Sequence, residues 1–542
     1  MTSWTTSPAH LARYRGVGLW RDRTIGDLAR VRADATPDLV VFPNDPTQPT
    51  YASLLTDATA LMASLADLGL RTGDVVSVQM PNWVEAAVIN LAAAIGGLVV
   101  NPIVTIYRDA EVRQMLADSG AKLLFVCETF RGYDYPAMVD RIRGALPGLA
   151  HVVTVRGTRT VDYADLVAAG RGKAFAAPTV DPDAVKLLLY TSGTTGRPKG
   201  VLHSHNTLAR VSAVSYDRWG LGEGDAILMP SPVTHISGYS NGLEQPFLAG
   251  TRTVLMEAWN ADEALALIER YDVVGTVAAT PFLKELADAA RTKGTRLPSF
   301  RVFACGGAAV PADLVRDANS AFANPCAFRV YGSSETPLIT IGCTPGVLPE
   351  LAAATDGAIA DYDVRFLDDD GRDVASGAEG EIVARGPAMF MGYADAEQTR
   401  AALTDDGYFR TGDIGLLTPE GAVTITGRKK DLIIRGGENI SAKEIEDVLH
   451  RHAAVAEAAV VAMPHARLGE GICAFVVARA GAAPDFAMLS GFVSISGLAK
   501  QKTPERIEFV AELPRTASGK IRKDVLRARI RELVEAEAPA PI

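Results

Sequence analysis

Cysteine is scarce in this sequence of 542 residues. Its five cysteines (Cys127, Cys305, Cys326, Cys343 and Cys473) are scattered, without metal-ligand spacing or a disulfide framework. Long apolar runs are scarce too. The most apolar stretch, residues 86–103, is broken by Asn90, two glycines and Asn101. It therefore predicts a buried helix feeding a strand rather than a membrane span. The opening residues, MTSWTTSPAHLARYRG, lack the apolar core of a signal peptide, so the cytoplasm is the expected location. Charge of one sign is not concentrated either. A net charge of −10 is modest for this length; it gives no basis for a nucleic-acid partner and leaves a locally held anion open.

What is present reads as an ordinary globular chain, 48% hydrophobic and 22% charged. It is too long for one hydrophobic core, so at least two domains are expected. Apolar runs at residues 39–42, 74–80, 98–103, 122–127 and 187–190 predict strands. Helical stripes at 52–68 (stopped by Gly69), from Trp83, and at 207–216 fall between or after them. This alternation is that of a parallel sheet with crossover helices. From Val364 the texture changes. Short strands at 364–367, 381–384 and 423–426, separated by DDDGR and SGAEGE, predict a small antiparallel unit at about 350–429. After GRKKD (427–431) the chain starts again. Ser441 and Glu444 form a capping-box pattern before a helix with the stripe Ile445, Val448, Leu449. Strands at 458–462, 473–478 and 506–513 and a helix from Ile521 follow. The expected class is α/β. A large domain (1–429) holds βα-type sheets and the antiparallel unit, and a small α+β domain (430–542) follows.

Residues 190–200 read YTSGTTGRPKG. A glycine-rich loop after a strand lets backbone N–H groups approach phosphate oxygens, because no Cβ keeps the ligand away. Thr191, Ser192, Thr194 and Thr195 add hydroxyl donors around Gly193, and Lys199 adds charge. The register differs from the P-loop of common NTPases.

Further stretches follow in order: His235 in SPVTHISG, Gly306-Gly307-Ala308, YGSSE at 331–335, YFRTGD ending at Asp413, GRKKD from Gly427, and PRTASGK ending at Lys520. Together with the loop they resemble the adenylate-forming superfamily of acyl-CoA synthetases, peptide-synthetase adenylation domains and firefly luciferase. The resemblance spans nearly the whole chain and leans toward a carboxylic acid–CoA ligase. It implies ATP, Mg²⁺ and coenzyme A, with acyl-AMP made first and the thioester second. It implies that the Gly193 loop grips phosphate and that Glu335 holds Mg²⁺. Tyr331 would stack on adenine beside Gly306, Gly307 and Ala308, with Gly332, Ser333 and Ser334 completing that wall. Ser334 stands where the family usually has Thr, keeping the hydroxyl and losing a methyl. Asp413 would bind the ribose hydroxyls and Arg428 would assist there. Lys520, His235, Glu335 and Thr191 form the implied catalytic set.

The resemblance also implies a mobile C-terminal domain. Rotation about Lys430 would withdraw Lys520 and bring Arg435, Gly436, Gly437 and Glu438 to coenzyme A. No carrier-protein serine motif follows Lys520, so the acceptor is expected in trans. Two alternatives stay open: an enzyme loading an acyl-carrier protein, and a non-catalytic nucleotide- or acyl-binding homologue. A homodimer also stays open.

Thr234, His235, Ile236, Ser237, Tyr239, Gly306 and Gly332 are the expected acid pocket. SPVTHISGYSNG has no acidic residue to meet an ammonium, which argues against an amino acid. Gly238, Gly306 and Gly332 are read as leaving room for a medium-chain, alicyclic or aromatic acid. His203 and His205, in a polar HSH, are read as solvated. The basic run 515–531 is read as a solvated helix face with Lys520 at its start.

Overall fold

The apolar stretch folds as its pattern predicts. Helix Val84–Gly96 is buried at every position except Glu85, and Gly97 ends it in the left-handed region at φ 68°. The chain then enters strand Val99–Pro102. In the computed structural model, residues 5–191, 198–307, 310–435, 438–465, 467–516 and 520–537 are described. They group into two units. The larger comprises Met1–Ala353, Gly357–Asp363 and Ala384–Phe409; the smaller comprises Ala354–Asp356, Val364–Val383 and Arg410–Ile542. Among the described residues no helix is long and apolar enough to cross a membrane.

The larger unit contains two principal sheets. The first has eight strands, in the order Gly392–Tyr393, Lys199–Ser204, Val185–Thr191, Val99–Pro102, Val75–Gln79, Leu123–Cys127, His151–Val155, Val161–Asp162. From Val185–Thr191 onward the pairings are parallel, while Lys199–Ser204 and Gly392–Tyr393 add as antiparallel edge strands. The second sheet has five parallel strands, ordered Arg252–Leu255, Ala226–Met229, Val273–Ala278, Val302–Cys305, Ala327–Arg329. One apolar core joins residues of both sheets, including Val76, Phe125, Leu188, Ile227 and Val302.

The smaller unit holds strand Phe409–Leu417 from Arg410 onward, antiparallel to Ala422–Arg428. It also holds a sheet ordered Glu438–Ser441, Leu432–Arg435, Gly469–Ala478, Val455–His465, with Arg506–Phe509 parallel to Gly469–Ala478. Helix Ala442–His450 packs the expected stripe Ile445, Val448 and Leu449 into this unit's core.

Several expectations are corrected. Residues 39–42 form only an isolated bridge, Val40 to Thr50. The strand expected at 506–513 is Arg506–Phe509, and the last helix begins at Lys523. The capping box at Ser441 does not form. Its side chain caps no N–H, and its Oγ donates instead to the carbonyl of Thr426 at 2.5 Å. His203 and His205 are not solvated. They are 0% and 3% exposed, because Lys199–Ser204 is a covered strand and His205 starts a buried helix. All five cysteines carry free thiols, and four of them are buried.

Candidate active site

In the larger unit, the candidate residues follow the C-terminal ends of sheet strands, the edge where open α/β sheets bind ligands. Thr191 ends Val185–Thr191, residues 234–239 follow Ala226–Met229, Gly306 follows Val302–Cys305, and Tyr331 follows Ala327–Arg329. Thr191 pairs with Lys199 across an antiparallel hairpin, so both flanks of the glycine-rich stretch emerge side by side. Ser192, Gly193, Thr194 and Thr195 lie outside the described residues, as does Ala308.

A short chain of contacts links this hairpin to Glu335. The Lys199 ammonium sits 4.9 Å from the ring centroid of Tyr393, a cation–π distance. The Tyr393 hydroxyl donates to Glu335 Oε1 at 2.8 Å. Burial, and then the Glu335 charge, push the Tyr393 phenol far above its ordinary range, so it remains a donor. The Phe390 N–H also donates to the Glu335 carbonyl at 2.7 Å. From the other side, His203 Nε2 donates to the Ser334 carbonyl at 2.7 Å, and Nδ1 meets Thr207 Oγ1 at 3.1 Å. Burial lowers the His203 imidazole to about 4, so it stays neutral at pH 7. Tyr331 N–H donates to Thr340 Oγ1 at 2.8 Å, and Ser333 N–H to the Thr336 carbonyl at 3.1 Å. Residues 331–335 are thus held by backbone and side chain alike.

Tyr393 donates to Oε1 of Glu335 alone among the described residues, so Oε2 can meet a hard cation. Mg²⁺ takes such a ligand when substrate phosphates complete its shell. No group of three or more His, Cys, Asp or Glu side chains among the described residues could hold a metal by protein ligands alone.

The segment preceding residues 234–239, the expected acid pocket, is pinned by Asn82. Its Nδ2 donates to the carbonyls of Met229 (3.1 Å) and Ser231 (2.9 Å), and its Oδ1 accepts from Val233 N–H at 2.8 Å. Thr234 and Ile236 are buried, and His235 is half-buried with Nδ1 3.2 Å from Ser237 Oγ. Tyr239 is buried and donates its hydroxyl to Asn90. The glycines do not open this pocket. A Cβ on Gly238 would lie 2.1 Å from the Pro232 carbonyl oxygen. One on Gly306 would meet the Val330 carbonyl oxygen at 2.7 Å, and one on Gly332 the Leu338 nitrogen at 2.5 Å. They allow close backbone packing, which corrects the reading that they leave space for an acid.

In the smaller unit, Asp413 and Arg428 are register partners on neighbouring strands, and Arg428 Nε donates to Asp413 Oδ1. The Asp413 side chain is 10% exposed and that of Arg428 46%. Thr411 Oγ1 accepts from Asp413 N–H at 3.1 Å and donates to the Ile382 carbonyl at 2.7 Å. Lys430 lies in the 3₁₀ turn Lys429–Asp431, whose Asp431 pairs with Arg527 at 2.8 Å. Arg435 is engaged by Glu505, with Nε at 3.0 Å and Nη2 at 2.7 Å from Oε1. Gly436, Gly437 and the side chain of Glu438 lie outside the described residues. Lys520 is exposed. Its N–H donates to Thr516 Oγ1 at 3.1 Å, and its carbonyl accepts from Thr516 N–H at 2.7 Å.

Tyr393 and Asn82 went unread in the sequence, and His203, which is buried, reads there as solvated. Tyr393 acts on Glu335, 58 residues away, and His203 and Asn82 on partners more than a hundred residues away, and no local pattern marks such pairings.

The AMP-binding enzyme family model matches residues 29–394, and the AMP-binding enzyme C-terminal domain model matches residues 444–520. The medium-chain fatty-acid–CoA ligase of Escherichia coli (strain K12) is 34% identical over 529 residues, covering 96% of this chain and 92% of that protein. The 2,3-dihydroxybenzoate-AMP ligase of Bacillus subtilis (strain 168) is 33% identical over 541 residues, 98% of each chain. Among solved structures, ATP-bound MatB from Rhodopseudomonas palustris matches with a TM-score of 0.82 at 30% identity, over 93% of this chain and 99% of that one.

Proposed function

The chain belongs to the AMP-binding enzyme family and is an acid–thiol ligase; from that premise we propose that it activates an apolar carboxylic acid with ATP and passes the acyl group to coenzyme A. In the first step a carboxylate oxygen attacks the α-phosphorus of ATP, pyrophosphate leaves, and acyl-AMP forms. In the second, the coenzyme A sulfur attacks the acyl carbonyl, the thiol proton is lost, and AMP leaves.

The observation that carries this reading is the Lys199–Tyr393–Glu335 chain beside the Thr191 hairpin. It gathers a cation, a neutral donor and a carboxylate where a triphosphate would need all three. A carboxylate is a poor nucleophile toward a polyanion, so fixed positive charge must offset the repulsion. We assign phosphate contacts to Thr191 and Lys199, and to the 192–197 stretch between them. Glu335 would hold Mg²⁺, which supplies charge neutralisation when bound, and Tyr393 orients that carboxylate. Asp413 would accept from the ribose hydroxyls, with Arg428 beside it. Lys520 would carry an ammonium to the reacting carboxylate, with most effect where water is excluded. Lys430 as the hinge, and residues 435–438 at coenzyme A, remain part of the same proposal. The Glu505 pairing of Arg435 means that any coenzyme A contact there must share the guanidinium.

For the acid we propose a medium-chain, alicyclic or aromatic substrate. Ile236 and the Tyr239 ring are apolar, and residues 231–242 contain no carboxylate. The next acidic residue, Glu244, is buried and paired with Lys186, so an amino-acid ammonium would find no counter-charge there. In a second reading the activated acid passes to a carrier-protein thiol; the likeness to an acid–AMP ligase over 98% of the chain supports the activation step that both readings share. Acid-dependent exchange of pyrophosphate into ATP, run over a panel of acids and followed by coenzyme A-dependent AMP release, tests both readings. Exchange with an apolar acid and turnover with coenzyme A are expected. Exchange without coenzyme A turnover would favour the carrier, and no exchange with any acid would leave a binding protein.

A further inference from the structure

The larger unit contains a sealed ion pair that neither half-reaction uses. Lys186, on the strand that ends at Thr191, and Glu244 pair with both side chains 0% exposed. Asn90, on helix Val84–Gly96, donates Nδ2 to the same Glu244 oxygen at 2.7 Å, and its Oδ1 accepts the Tyr239 hydroxyl. The Lys186 ammonium lies 5.4 Å from the Tyr239 ring centroid, which closes the circuit. Four side chains from three segments thus form one ring of contacts. The second oxygen of Glu244 accepts no hydrogen bond among the described residues.

The local backbone shows what the ring requires. Tyr239 and Glu244 are the first and last residues of a single π-helical turn, Tyr239–Glu244. In an α-helix, residues five apart point about 140° away from each other. The i→i+5 spacing of a π turn returns them to one side, and such turns recur at functional sites. In that register Tyr239 and Glu244 both meet Asn90. A buried pair is seldom more stabilising than well-packed apolar residues of equal volume, and its best-attested use is to fix a register.

We propose that Lys186 and Glu244 are positioning residues for acid selection: their pairing fixes the π turn, and with it the Tyr239 ring, against the strand feeding Thr191. The width of the acid pocket is then set by charges the acid never touches. This rests on the reading of residues 234–239 as the pocket wall.

The test is the double variant Lys186→Met/Glu244→Gln of the full chain. It removes both charges, nearly keeps the volumes, and leaves an amide to meet Asn90. Pyrophosphate exchange over the acid panel at saturating ATP should show the KM for the best acid raised about tenfold and the ranking of acids altered. The KM for ATP and the rate at saturating acid should stay within about threefold, which separates pocket geometry from general damage. Tyr239→Phe keeps the ring and cuts its bond to Asn90. It should shift the acid KM in the same direction by about threefold, and it decides the matter if the double variant does not fold. An unchanged acid KM and ranking in Tyr239→Phe, and in the double variant wherever it folds, overturns the inference. No exchange by the unaltered chain with any acid overturns the ligase reading and this inference together, and is told apart because it needs no variant.

Discussion

Lys186–Glu244 in the larger unit and Arg527–Asp431 in the smaller are both cation–carboxylate pairs, yet they sit in different surroundings. The first is fully sealed, whereas the second has side chains 28% and 12% exposed. The candidate site carboxylates divide by the burial of their partners rather than by their own, since Glu335 is half-buried and Asp413 buried. Glu335 is gripped through Tyr393 and Ser334 by side chains that are themselves buried. Asp413 is paired with an Arg428 that is nearly half exposed, and Lys520 is exposed. A sealed polar group cannot exchange partners without the cost of an unpaired buried charge, so it holds one geometry. An open one can trade its partner for water or ligand at little cost. The larger unit is therefore built to hold a geometry, and the smaller unit to offer groups that can change partners.

The largest expected effect breaks the sealed side. Lys186→Met alone leaves Glu244 buried without its cation and should destabilise the larger unit by about 3–5 kcal/mol, read from denaturant unfolding. Next is acid. His203 titrates at about 4 in the folded chain, against an ordinary 6.5, because burial disfavours its cation. The unfolded chain binds that proton more readily, so the stability present at pH 7 is lost as pH falls from 6.5 toward 4, by about 3 kcal/mol at most. His205 is shifted in the same direction. His203→Gln keeps a donor for the Ser334 carbonyl without titrating, and should flatten the difference between unfolding midpoints at pH 7 and pH 5. Tyr393→Phe removes the hydroxyl that orients Glu335 and should raise the Mg²⁺ needed for half-maximal exchange by about tenfold, with the fold unchanged by circular dichroism. The smallest effect belongs to the open side. Arg527→Ala should cost less than about 1 kcal/mol, and a larger loss in thermal unfolding would mean that its pair is effectively sealed.

The parts legible in the sequence were those written locally. The helix–strand alternation before residue 130, the stripe of Ile445, Val448 and Leu449, and the motifs around Thr191, Glu335, Asp413 and Lys520 need only neighbouring residues to be read. The second parallel sheet went unread. Its strands, such as Ala327–Arg329, are short apolar runs that periodicity cannot separate from helix or loop. HSH looked polar because composition does not reveal that Lys199–Ser204 is paired on both edges and that His203 is fully buried against the Ser334 carbonyl. The glycines at 238, 306 and 332 looked like space and are places where backbone meets backbone. Ser441 has the right spacing for a cap, but the carbonyl of Thr426 takes its hydroxyl. The misses at HSH and Ser441 are distant partners that won over a local preference, whereas Gly238 and Gly332 meet backbone six residues away.

The central claim is that this chain joins acid to AMP before any thiol arrives, and that one exposed lysine serves only that first event. Lys520→Ala, assayed side by side for acid-dependent pyrophosphate exchange and for thioester formation from presynthesised acyl-adenylate, tests it most directly. We expect exchange to be lost and thioester formation to persist near the unaltered rate; equal loss of both would contradict the claim.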